Sequence, residues 1–149
     1  MADRPVHVED MLRRMKKTAD DLGLPFGNLK MLYNSRLAQE LGLWAESKGK
    51  GDAFHMAAFQ TNFVAAKNIA RVPVLLDMVH SVNLSRQEAG EVLESRAFRE
   101  AVDNDWELSR SKGITAVPTF VLDHSKLVGA QPYEIMEQFM KQNGIKRRQ

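Results

Sequence analysis

Cysteine is absent from the chain. That absence excludes disulfides, thiolate metal sites and cysteine nucleophiles, because each depends on a sulfur atom that no other residue supplies. Long hydrophobic runs are missing as well. No stretch approaches the roughly 20 apolar residues a helix needs to cross a bilayer, so no membrane association is expected. The opening residues, MADRPVHVEDML, are polar and charged and do not resemble a secretory signal, so the expected location is the cytoplasm. A marked excess of one charge is lacking: 21 Lys and Arg against 19 Asp and Glu leave a net charge of +2, too little to read as a nucleic-acid footprint. The two small basic clusters (Arg13, Arg14, Lys16 and Lys17, then Lys146, Arg147 and Arg148) read as solvated faces. The four histidines, His7, His55, His80 and His124, are scattered and include no HExxH, so no metal site is expected. No glycine-rich phosphate loop, internal repeat or low-complexity tract occurs, and no cofactor is expected.

What is present is one well-marked stretch, residues 113–130, GITAVPTFVLDHSKLVGA. Thr119, Phe120, Val121 and Leu122 form a β-branched and aromatic run. Asp123, His124 and Ser125 favour a turn, and Lys126, Leu127 and Val128 form a second run closed by Gly129. The pattern predicts a hairpin with a loop of about three to five residues. Gly113 stands where a preceding helix needs a left-handed cap. Pro118 stands at the mouth of the first strand, where a missing N–H does least harm. Pro132 then opens a last helix.

The remainder reads as helix. Val8, Met11, Leu12, Met15, Ala19 and Leu22 recur at spacings of three and four, which predicts a helix over 6–22 ended by Gly23. Asn34 or Ser35 caps a second helix that reaches about Lys48, with Leu37, Leu41, Trp44 and Ala45 as its apolar stripe. Asp52 caps a third, from Ala53 to about Ala66; its Phe54, Ala57, Ala58, Phe59 and Phe63 cover more than one face and predict burial on two sides. Pro73 starts a fourth. Ser85 with Glu88 fits a capping box for a fifth, ending near Glu94. A sixth, over 97–112, turns Phe98, Ala101, Val102 and Trp106 inward. The last, 133–143, buries Ile135, Met136, Phe139 and Met140. Met11, Met15, Met78, Met136 and Met140 fall on apolar stripes and read as core. The expected class is mostly α with one β-hairpin (α+β). The length suits a single domain.

Helix, glycine, Val117-Pro118-Thr119-Phe120, hairpin, Gly129, helix: this order resembles the C-terminal half of a thioredoxin-like domain of the DsbA type. The run 33–38 (YNSRLA), the run 44–55 (WAESKGKGDAFH) and the run 129–132 (GAQP) resemble its FrnE-type branch, so the likeness covers about residues 22–142. It implies a DsbA fold's C-terminal portion with its helical insert over about 6–112 and a ββα end over about 113–143. It also implies a domain, 1–149, that lacks the family's first βαβ unit with its CxxC.

Several functional expectations come from that resemblance. Pro118 is expected to be cis, with Val117, Pro118 and Thr119 forming a loop that presents backbone groups to an extended peptide. Asn34, Ser35 and Arg36 are expected near the active-site face, with helix capping as the job of Ser35 in the absence of an assignable base. Thiol–disulfide oxidoreductase is the family activity, yet thiolate chemistry is closed to this chain, so a redox-inactive member is expected. A glutathione-dependent isomerase or transferase and a helical interaction or assembly module are the alternatives. In the resembled fold, the strand 119–122 lies inside the sheet. Without its neighbour it becomes an edge, and Phe120 and Leu122 lose cover, which predicts a homodimer formed through that edge.

Overall fold

The computed structural model describes residues 8–146. His7, Arg147 and Arg148 lie outside the described residues. Among the described residues there are seven α-helices, one π-helical turn and one antiparallel hairpin: α1 (Val8–Asp21), α2 (Arg36–Ser47), α3 (Gly51–Phe59), the π-turn (Gln60–Val64), α4 (Val72–Ser81), α5 (Arg86–Ser95), α6 (Arg99–Ser111), β1 (Thr119–Leu122), β2 (Ser125–Val128) and α7 (Tyr133–Gln142). The chain divides into two compact units, residues 1–103 and 104–149, with the boundary inside α6. The expected mostly helical class with a single hairpin is what the backbone adopts.

The first unit is built on α2. Leu41, Trp44 and Ala45 of its stripe are buried, packing in one cluster with Phe54 of α3, Leu75, Met78 and Val79 of α4, and Ala89 and Leu93 of α5. α2 passes to α3 through a tight turn. Gly49 takes a positive φ of 70°, and the Lys50 N–H returns to the Ala45 carbonyl at 2.8 Å, so the last carbonyls of the helix find donors. Ser85 caps α5 as predicted, its hydroxyl accepting from the Glu88 N–H at 3.2 Å. The reciprocal half of the box is not made: the Glu88 carboxylate accepts instead from Lys48, just past the end of α2, at 2.6 Å.

Four expectations are corrected here. Asp52 does not cap α3; the helix starts two residues earlier than expected, at Gly51, and Asp52 sits in its first turn, where its charge favours the helix N-terminus. That helix is not α throughout, because its last turn widens into the π-turn, and it is covered on one side rather than two. Phe54 is buried while Phe59 stays 58% exposed. Leu22 is 67% exposed, beyond the end of α1. On α6, Val102 is buried and Phe98, just before the helix, packs on the core, but Ala101 and Trp106 are exposed.

In the second unit, β1 and β2 pair with Thr119 opposite Val128 and Leu122 opposite Ser125. The loop between them is two residues, Asp123 and His124, shorter than expected. Asp123 makes this possible by accepting a positive φ of 49°, which aspartate tolerates better than most side chains. Pro132 stands just before α7 rather than within it. Phe139 is the one buried apolar side chain described in this unit. Met136 is half-buried, and Ile135 and Met140 remain exposed, contrary to the expected stripe. Met11 and Met15 are likewise half-buried, which leaves Met78 as the only buried methionine of the five expected in the core.

One close approach fixes the segment after α1. The Gly27 N–H donates to the Phe63 carbonyl at 2.7 Å, and a Cβ on Gly27 would overlap the Val64 carbonyl oxygen and stand 3.0 Å from its carbon. Both obstacles are backbone and have little room to yield. Gly27→Ala is expected to destabilise the protein by about 1–3 kcal/mol, read as a lower urea midpoint at unchanged slope.

Candidate functional site

The loop ahead of β1 gathers Val117, Pro118 and Thr119. The Val117–Pro118 peptide bond is cis, and the Val117 side chain is 89% exposed. The loop is tied at both flanks. The Thr119 hydroxyl donates to the Ala116 carbonyl at 2.6 Å, and the Gly129 N–H donates to the Pro118 carbonyl at 2.8 Å. Behind it, the Lys126 ammonium donates to the Lys112 carbonyl at the end of α6, and the Gln131 amide donates to the Val128 carbonyl at 2.8 Å.

The Pro118–Gly129 bond sets the parity of the hairpin. In an antiparallel pair, alternate residues exchange hydrogen bonds with the partner, and those between turn N–H and C=O the other way. With Pro118 bonded toward β2, Phe120 and Leu122 follow it. Thr119 and Val121 therefore point their backbone N–H and C=O away from β2, along an edge that no other strand covers among the described residues. Val121 was not singled out from the sequence. Strand alternation alone could not assign it, because the parity depends on which residue of the loop bonds across the hairpin.

Asn34, Ser35 and Arg36 lie together at the start of α2, and each is engaged. The Asn34 side chain accepts from the Arg36 N–H at 2.8 Å, and the Ser35 hydroxyl accepts from the Gln39 amide at 2.9 Å. Ser35 occupies the N-cap position expected of it but makes no side-chain cap bond. The partner its hydroxyl has here is an amide, not a base. Asn34, Arg36, Leu37, Ala70 and Arg96 line a shallow cavity of about 260 Å³.

The floor of this region is ionic. Glu40, one turn into α2, is wholly buried. Its carboxylate accepts from Arg96 at 2.8 and 2.6 Å, a bidentate grip, and from Arg36 at 2.9 Å. Arg36 continues to the Arg99 carbonyl at 2.8 Å and to Asp103 at 2.6 Å. The Arg36–Glu40 spacing of four residues is visible in the sequence. Arg96, 56 residues further on, is not. The cluster is a staple between α2, the end of α5 and the start of α6, with its charges already matched.

His55, His80 and His124 are exposed. His55 rests its ring over the buried Gly42 of α2 rather than in the core. Among the described residues no group of three or more His, Asp or Glu is placed to hold a metal ion. No described helix is long and apolar enough to cross a membrane.

The model of the DsbA-like thioredoxin domain matches residues 1–141. The chain belongs to that family. Among curated proteins it is similar to the uncharacterized protein YwbO of Bacillus subtilis (strain 168), 28% identical over 125 residues that make up 80% of this chain and 61% of YwbO. Among solved structures it is similar to a probable DsbA oxidoreductase from Streptomyces coelicolor, with a TM-score of 0.79 and 24% identity over 94% of this chain and 62% of that one. That likeness carries the fold. The chain thus spans about three fifths of the length of both relatives.

Glu40 yields a prediction with a definite sign. The Arg96 guanidinium hydrogen-bonded to it, with Arg36 in support, holds its carboxyl below the ordinary 4.5, against the upward push of burial. A depressed folded pKa stabilises the fold above the unfolded value, and that stability is lost as pH falls from about 4.5 through the folded value. Glu40→Gln is expected to cost about 2 kcal/mol at neutral pH, less than the roughly 3–5 of a fully buried broken pair because Arg96 keeps some solvent. Denaturant midpoints measured from neutral pH downward should show the gap between the two proteins narrowing below about pH 4.5.

Proposed function

We propose that this chain is a FrnE-type relative of the DsbA thiol–disulfide oxidoreductases that binds an extended polypeptide strand at the Val117–Pro118–Thr119 loop and, in its cysteine-free form, performs no thiol–disulfide exchange. Exchange proceeds by attack of a thiolate on a disulfide sulfur, and no serine or histidine of this chain substitutes for that nucleophile. The binding role rests on one observation above all. Beside the exposed Val117, Thr119 and Val121 direct backbone donors and acceptors along a single open edge. Addition of an extended strand to such an edge is a recurring mode of peptide capture, in which main-chain hydrogen bonds supply affinity. Thr119 takes part twice on this reading. Its backbone faces the ligand while its hydroxyl, bonded to Ala116, holds the loop in shape.

Insulin reduction and strand binding test the two halves separately. The purified chain should add nothing to the rate of insulin precipitation by dithiothreitol alone; a rate above that blank overturns the inactive assignment. A fluorescein-labelled, reduced and carboxymethylated unfolded protein should bind saturably by anisotropy. Val121→Pro, which removes an outward N–H without touching a bond to β2, should weaken that binding at least about tenfold. Equal binding by the variant overturns the edge as the binding site.

A further inference from the structure

The open edge is also self-complementary. We infer that the strand it binds is β1 of a second copy of this chain, paired antiparallel about a two-fold axis that passes by Phe120. This inference rests on the strand-binding reading above and names its partner.

Three observations carry it. The first is that β1 has none of the devices that protect edge strands. Residues Thr119–Leu122 contain no charge and no proline, and the register with β2 runs without a bulge. The other edge of the hairpin is guarded: β2 carries Lys126, whose ammonium is folded back onto the Lys112 carbonyl. The second is apolar exposure on both faces of the hairpin. Phe120 is 39% exposed on one face, and Val121 and Val128 are 40% and 51% exposed on the other.

The third is the match of parity to symmetry. A two-fold axis perpendicular to a sheet keeps each side chain on its own face, so a strand paired with its own copy must set residues of like parity opposite each other. With Phe120 opposite Phe120 of the second copy, Thr119 falls opposite Val121 and Val121 opposite Thr119. Those two residues are the ones whose N–H and C=O point outward, so both crossings become hydrogen-bonded pairs and every outward backbone group of the edge finds a partner. Phe120 falls at the non-hydrogen-bonded crossing, where side chains stand closest, and aromatic pairs there are among the favourable cross-strand contacts. On the opposite face, Thr119 and Val121 bring β-branched side chains together. A charged strand would meet its like at this axis; β1 does not.

The cysteine-free background provides a direct test of register. In single-cysteine variants, Phe120→Cys places two thiols at the closest crossing of the two copies, whereas Val121→Cys and Leu122→Cys hold them apart. Under mild oxidation, Phe120→Cys should give predominantly crosslinked dimer on non-reducing gels, several-fold more than the other two. Light scattering of the unmodified chain at about 100 µM, where a micromolar interface is mostly filled, should give a dimer, and Val121→Pro should weaken its association at least about tenfold. Equal crosslinking at all three positions, or a dimer indifferent to Val121→Pro, overturns the proposal. A monomer that binds the unfolded-protein probe overturns it while leaving the strand-binding role standing. A monomer that binds nothing overturns both.

Discussion

Glu40 is a charge in a place that water does not reach, and the first unit is arranged around that fact. A carboxylate buried without partners would cost far more than any single packing contact returns. Arg96 and Arg36 remove the cost, and in doing so they determine where three helices can be. Arg96 has to reach α2 from the end of α5, and Arg36 has to reach the first turn of α6. Leu41, the next residue of α2, then faces the apolar cluster with Phe54, Leu75 and Val79. The ion pair and the core are thus set side by side on one helix. The pair specifies which way α2 is rotated, and the core supplies the bulk of the stabilisation.

The hairpin unit rests on different physics. Two strands alone are marginal, and Phe139, 8% exposed, is the one buried residue described in that unit. Its order comes from a set of polar ties: Thr119 to Ala116, Gly129 to Pro118, Lys126 to Lys112, and Gln131 to Val128. Each shapes backbone rather than burying surface. Apolar residues such as Val117 and Tyr133 consequently remain at the surface, where they are free to meet another chain.

The helices and the hairpin were legible because their signals are local. Stripe spacing located α1 and α2, Pro73 marked the start of α4, Ser85 with Glu88 marked that of α5, and the β-branched run with Pro118 announced β1. The likeness to the DsbA family rested on the same hairpin and on short runs in α2 and α3. What the sequence could not provide was direction and distance. Phe59 and Trp106 look like core by hydrophobicity, yet a stripe says which residues share a face, not whether anything lies opposite. The π-turn left no sign in composition. Glu40 carries no local sign of its role, because its partner Arg96 lies 56 residues along the chain. The edge parity of Thr119 and Val121 hinged on a single cross-hairpin bond from Gly129 to Pro118.

Arg96 illustrates how two demands can meet on one residue. It ends α5 with a left-handed φ of 53°, a conformation that side chains with a Cβ resist by about 1 kcal/mol or more and that glycine adopts without strain. Backbone geometry alone would choose glycine there. Electrostatics favours a guanidinium, because Arg96 supplies the two-pronged grip on Glu40 that the bond from Arg36 supplements. No residue satisfies both fully, so the chain keeps the charge and accepts the torsion. Such a position is trapped in sequence space: a step that relaxes the backbone leaves the buried carboxylate with Arg36 in place of two guanidinium partners, and a step that removes the carboxylate first leaves a strained arginine without its bidentate partner. Only a paired exchange, glycine at 96 together with an apolar residue at 40, escapes by a route that keeps the helix end intact.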